Sequence, residues 1–149
     1  MSQNADMMKL YSKRILALAA EIPLTERLDA PDATARKRSP LCGSTVTVDI
    51  NLKNGAISEF GQDVKACALG QAAASIIAQN VIGRTQEEIQ TGRDQLKGML
   101  TDEADPPSDP FTELETLLPA KDYKNRHASI LLTFDALLAA CEEAPASTS

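Results

Sequence analysis

Thr45-Val46-Thr47-Val48-Asp49-Ile50-Asn51-Leu52-Lys53-Asn54-Gly55 alternates strictly between polar and apolar residues and then ends in Asn-Gly. Successive side chains of a strand point to opposite faces, so Val46, Val48, Ile50 and Leu52 share one face and Thr45, Thr47, Asp49 and Asn51 the other. That is the pattern of a half-buried antiparallel strand. Asn-Gly tolerates positive φ at both positions and is the strongest short hairpin signal. A returning strand is therefore expected from about Ala56 to Val64.

Outward from this hairpin the period changes. Residues 34–39 fit a further short strand. Upstream, Met7, Leu10, Tyr11, Ile15 and Leu18 recur at helical spacing, predicting an amphipathic helix over 5–21, and the Pro23 to Ala33 stretch reads as a connection. Downstream, Cys67 opens a helix of small residues that runs to Ile82 and is closed by Gly83. Thr85-Gln86-Glu87-Glu88 is a capping box that starts another helix ending near Leu100. The segment 101–110, with four acidic residues and three prolines, reads as a surface loop. Residues 111–118 fit a helical turn stopped by Pro119. A last helix runs from about Asp122 to Glu142, with Ile130, Leu131, Phe134, Leu137, Leu138 and Cys141 on one stripe. Helix, strands, then helices predict an α+β domain: a small antiparallel sheet with helices packed on it. A single domain over 1–143 and a disordered tail over 144–149 are expected.

Composition narrows the function. Of 149 residues 43% are hydrophobic but only 3% aromatic, so the core must be built from Ala, Leu, Ile and Val. The net charge of −6 argues against nucleic acid, which needs a basic face. Arg36-Lys37-Arg38, the one basic run, reads as a solvated strand edge. No stretch approaches the roughly 20 apolar residues of a membrane span, and the N-terminal region lacks the apolar core of a signal peptide. A cytoplasmic protein is expected. In that reducing compartment the three cysteines are unlinked, each one buried, reactive or a ligand.

Two of them sit at element junctions. Cys42 lies in Pro40-Leu41-Cys42-Gly43-Ser44, the turn before the first hairpin strand, and Cys67 lies where a strand passes into a helix. A thiol at a helix N-terminus meets unpaired amides and the positive dipole end, which favour thiolate, the form that binds metal or accepts sulfur. Both also fit the ordinary fate of free cysteine, a small buried hydrophobe. Cys141, on an apolar stripe, reads as core.

With their surroundings these residues resemble the U-type iron–sulfur scaffold family (NifU N-terminal, IscU and SufU proteins) over about residues 8–142. Pro40-Leu41-Cys42-Gly43 resembles the family's N-P-x-C-G-D motif. Cys67 followed by Ala68-Leu69-Gly70-Gln71-Ala72-Ala73-Ala74-Ser75 resembles the second cysteine segment. Arg126, Ser129, Leu132 and Phe134 fall at the spacing of R-x-x-C-x-x-L-x-W, and 111–117 resembles the SufU branch. The resemblance implies a three-stranded sheet with helices, a transient iron–sulfur cluster or bound iron or zinc, and a cysteine desulfurase as partner. It implies Cys42 and Cys67 as ligands, with Cys42 as persulfide acceptor.

The departures are equally specific. The family's aspartate position is Ser44, its third cysteine position is Ser129, and its glycines before the second cysteine are Val64 and Ala66. Serine hydroxyls are poor ligands for iron or zinc. A site with two thiolates would be completed by His127, by Asp63 or by a second subunit in a homodimer. His127 also fits a surface imidazole, and Asp63 a solvated strand-end carboxylate. Arg126 would attract a sulfide, a persulfide or a partner's carboxylate, or form a plain salt bridge. A scaffold, a sulfur carrier and a non-catalytic regulatory relative are the three roles left open; none requires a turnover enzyme.

Overall fold

The computed structural model describes residues 13–40, 43–102 and 104–144. Three antiparallel strands form one sheet in the order β1 (Ala33–Arg38), β2 (Thr45–Lys53), β3 (Ala56–Lys65). The β2–β3 turn is the expected Asn-Gly hairpin, with φ of 55° at Asn54 and 80° at Gly55. Around the sheet lie α1 (Lys13–Ala20), α2 (Ala68–Asn80), α3 (Gln86–Thr101), a 3₁₀ helix (Thr112–Asp122) and α4 (Lys124–Glu143). The predicted start of the first helix and the 145–149 part of the tail fall outside the described residues. Ala144 packs against the core.

The Thr85 hydroxyl accepts from Glu88 N–H while the Glu88 carboxylate accepts from Thr85 N–H, the reciprocal cap its sequence predicts. Val46, Val48 and Ile50 are buried as expected, facing α4. The core is mostly Ala, Leu, Ile and Val. Met99 and an edge-to-face pair, Phe111 and Phe134 with ring centres 5.2 Å apart, are also fully enclosed.

Three expectations are corrected. First, α4 is buried well beyond one stripe: His127, Ser129, Thr133, Ala136 and Ala140 are enclosed as well. It packs against α2, α3, β1, β2 and the 3₁₀ helix, so neighbours surround most of it. Second, the helical turn does not stop at Pro119; the 3₁₀ helix passes through it to Asp122. Such helices are strings of short turns, and proline, which lacks an N–H, is tolerated where one turn begins.

Third, the connection before β1 is a strap across the other face of the sheet. Asp49, on the polar side of the alternation, is fully buried beneath it. Its carboxylate accepts from Arg27 Nε at 2.5 Å, Arg27 Nη2 at 3.0 Å, Leu28 N at 3.0 Å and Thr34 Oγ1 at 2.6 Å. Gly61 makes room for the strap, because a Cβ there would stand 2.3 Å from the Glu26 carbonyl oxygen.

Burial alone raises the Asp49 pKa, but the Arg27, Thr34 and Leu28 hydrogen bonds outweigh it and hold the carboxyl below the usual range. A depressed folded pKa contributes stability that is present above the unfolded value and is lost as pH falls through the folded one. Asp49→Ala strands a buried amide and a hydroxyl, while half-exposed Arg27 retains water. We expect it to cost about 2 kcal/mol in urea denaturation at neutral pH, with the deficit against wild type shrinking in acid.

Candidate functional site

Three elements converge at one end of the sheet: the entry to β2, the N-terminus of α2 and the first turns of α4. The loop before β2 is pinned at its ends, since Ser39 N donates to Ser44 O and Gly43 N donates to Ser39 O, both at 2.8 Å. Cys42 and Leu41 lie outside the described residues, while the backbone of this turn carries Ser44 inward. Ser44 is buried, and its hydroxyl meets that of Ser129 at 3.0 Å. The Ser129 hydroxyl in turn lies 3.6 Å from Cys67 Sγ. Ser44 and Ser129 are therefore bonded to each other, and Ser129 also touches Cys67.

Gly70 makes this contact sterically possible. A Cβ at Gly70 would stand 2.5 Å from Ser129 Oγ and 2.9 Å from Ala66 Cβ. The first turn of α2 can approach α4 only because that side chain is missing.

Cys67 is the N-cap of α2, with an extended backbone and a half-buried side chain. Burial pushes its thiol pKa up. The Gly70 amide, the Ser129 hydroxyl, the Arg126 side chain and the Leu69 amide together outweigh burial, so the pKa lies below that of an ordinary thiol. Arg126, half-buried on the first turn of α4, thus has the Cys67 sulfur as a partner, a contact the sequence did not single out. Cys141 is the opposite case: burial and neighbouring Glu142 push it up to about 11, in keeping with the expected core cysteine.

The other two sequence candidates stand elsewhere. His127 is 8% exposed, so the surface imidazole is corrected. Its Nε2 lies 3.0 Å from the Ala120 carbonyl oxygen and 3.1 Å from that of Lys121. Facing two carbonyl acceptors, that nitrogen is placed as a donor. The helical rotation of about 200° between His127 and Ser129 sends the ring to the end of the 3₁₀ helix. Asp63 is exposed and pairs in register with Thr47, on the sheet face away from α4 and near Arg27. Among the described residues no group of three or more His, Cys, Asp and Glu side chains is arranged to hold a metal. The site as described offers one polarised thiol, a guanidinium and a closed hydroxyl pair.

Sequence reasoning missed the Ser44–Ser129 bond. Only the spacing of the two substitutions within the family motifs hinted that they would meet. It also missed Gly70, whose presence in a run of alanines was the available signal.

Peptide-resolved alkylation with iodoacetamide across pH tests the electrostatics. Modification of Cys67 is expected to reach half its plateau rate below the midpoint of an ordinary thiol, and that of Cys141 near 11. Arg126→Ala is expected to move the Cys67 midpoint upward and leave that of Cys141 in place.

No protein-family model matches the chain. Among solved structures, the N-terminal part of a nitrogen-fixing NifU-like protein of Brucella abortus is 43% identical with a TM-score of 0.90, covering 93% of this chain and 96% of that one. An iron–sulfur cluster assembly scaffold protein for the SUF system from Fervidobacterium islandicum has the same fold at 18% identity, with a TM-score of 0.81 over 90% of this chain and 98% of that one. The iron–sulfur cluster assembly scaffold protein IscU of Thermotoga maritima is 26% identical over 80 residues, 54% of this chain. The match spans 56% of that relative's length. The near-complete overlap with the Brucella structure at this identity places the chain in the U-type family of NifU N-terminal, IscU and SufU proteins.

Proposed function

We propose that this chain works in iron–sulfur cluster assembly, as a scaffold that receives iron and sulfide on Cys42 and Cys67 and passes the cluster on. The observation that carries this reading is Cys67 itself. In a chain 43% identical to a NifU-like protein, this cysteine stands at a helix N-terminus with Arg126 and Ser129 beside it. Thiolate is the form that iron takes, and in the sequence Cys42 stands two residues before Ser44, whose hydroxyl meets that of Ser129.

A cluster needs more ligands than two thiolates supply. With the His127 ring set against the Ala120 and Lys121 carbonyls at the end of the 3₁₀ helix and Asp63 on the far face of the sheet, the remaining ligands would come from a second molecule. A homodimer would contribute its own Cys42 and Cys67, giving four thiolates around one cluster. Zinc, which also prefers four ligands, would meet the same shortage in a monomer. Anaerobic reconstitution measures this directly. Iron and sulfide are expected to bind wild type at one cluster per dimer and to vanish in both Cys67→Ala and Cys42→Ala. Full binding by either variant would sink the scaffold assignment.

One observation favours a second reading, sulfur transfer. The serine pair removes two ligands and leaves the thiolate intact, and accepting sulfur requires only one good nucleophile. The thiolate would attack the sulfane sulfur of a desulfurase persulfide. A new S–S bond forms on this chain as the old one breaks, and the desulfurase cysteine leaves as thiolate. Incubation with a cysteine desulfurase and free cysteine, followed by intact and peptide mass spectrometry, should then show one added sulfur atom on Cys42 or Cys67. An unchanged mass, together with stable desulfurase binding, would instead mark a regulatory relative.

A further inference from the structure

The two outer strands of the sheet are guarded in different ways. β1 carries Arg36, Lys37 and Arg38, all exposed, along its length. Charges of this kind keep an edge from pairing with another strand. β3 carries no such run and is covered only at its ends. At one end Ile57 N donates to Arg84 O at 2.9 Å and Gly83 N donates to Ile57 O at 2.7 Å. At the other, Gln62 N donates to Leu24 O at 3.0 Å, with Gln62 Nε2 donating to Pro23 O at 3.2 Å.

The gap between these anchors has a defined chemistry. Because Gln62 N–H points away from β2, its pairing with Val48 is the non-hydrogen-bonded kind, and Phe60 with Ile50, two residues back, has the same orientation. The N–H and C=O of Phe60 therefore face out of the sheet. Among the described residues neither takes part in a backbone hydrogen bond beyond the ladder. At about 3.3 Å per residue, the gap admits a strand of roughly three or four residues.

A groove of about 840 Å³ lies over this gap. Leu24, 42% exposed, and Ile82, 46% exposed, form its apolar walls. Leu24 holds a φ of 57°, a left-handed conformation rare for leucine, and its side chain is exposed to solvent. The rim carries three exposed carboxylates, Glu26, Asp29 and Glu59. Its only cation, Arg27, is bound to Asp49.

We infer that this groove is a docking site for an extended segment of a partner protein, which adds a short strand to β3 at Phe60. The segment would place apolar side chains against Leu24 and Ile82 and Lys or Arg against the carboxylate rim. Main-chain hydrogen bonds supply affinity in this mode of recognition, and the alternating side chains supply the choice of partner. Charge complementarity identifies the occupant as cationic. A second copy offers its basic β1 edge, but β1-to-β3 pairing is head-to-tail, which gives a closed ring only at particular rotations and otherwise a filament, whereas a separate cationic segment meets no such constraint. The site lies apart from the Cys67 corner and does not depend on the function proposed for it.

The probe is an acetylated, amidated heptapeptide of alternating lysine and valine, titrated into the ¹⁵N-labelled full chain. Shift changes are expected to centre on the amides of Leu24, Ser58, Phe60 and Ile82, with slowed exchange at Phe60. The Glu26→Lys/Glu59→Lys double variant changes only exposed residues and should keep its spectrum elsewhere. It is expected to weaken binding about tenfold or more. N-methylation of alternate peptide amides, which removes strand donors and leaves the charge, should weaken it comparably. Shifts scattered over the acidic surface, or equal binding of the N-methylated peptide, would overturn the inference. So would a peptide-free dimer that protects the Phe60 amide, since the occupant would then be a second copy.

Discussion

The approach of Gly70 to Ser129 is the contact on which the functional end of this molecule depends. α2 presents no side chain there, and a Cβ at Gly70 would stand 2.5 Å from the Ser129 hydroxyl oxygen. The closeness puts the Ser129 hydroxyl and the Arg126 side chain against Cys67, and it lets the Gly70 amide face the same sulfur. Polarisation of the thiol therefore follows from packing between helices. The helix terminus supplies amides to any N-cap; the missing Cβ decides that a guanidinium and a hydroxyl join them.

β2 imposes a second constraint, because it is buried on both faces. Val46, Val48 and Ile50 meet α4 on one side, and Asp49 sits beneath the strap on the other. A strand fixed in this way cannot slip by one residue without sending a carboxylate into the apolar core. Its first residue follows Ser44 directly, so the register of the sheet also sets where the hydroxyl pair forms. The architecture and the site share one set of coordinates through that strand.

Most of the fold was legible because it is written in local signals. The period-two run, Asn54-Gly55 and the capping box of Thr85 and Glu88 each act within a few residues, and each reappears in the structure. What was not legible depended on partners distant in the chain. Asp49 alternates correctly as a polar residue and gives no sign that Arg27 and Leu28 will cover it. His127 looks like a helix-start imidazole until the carbonyls of Ala120 and Lys121 arrive beside it. Pro119 marks a stop for an α-helix, but the segment it occupies is 3₁₀. For the site, the motif spacing located Cys67, Ser44, Ser129 and Arg126, and only tertiary packing showed that three of them touch in series.

The bond between Ser44 and Ser129 has a consequence for how this corner responds to its surroundings. An ion held between two chain segments can be stripped by chelators, and a thiolate that holds it can be lost to oxidants. Two hydroxyl groups are neither oxidised nor stripped by such agents, and their bond is broken and remade without exchange of any species. In this chain the hydroxyl contact that ties the entry of β2 to α4 therefore holds no readily oxidised atom, which leaves the Cys67 sulfur as the redox-responsive atom among the described residues of that corner.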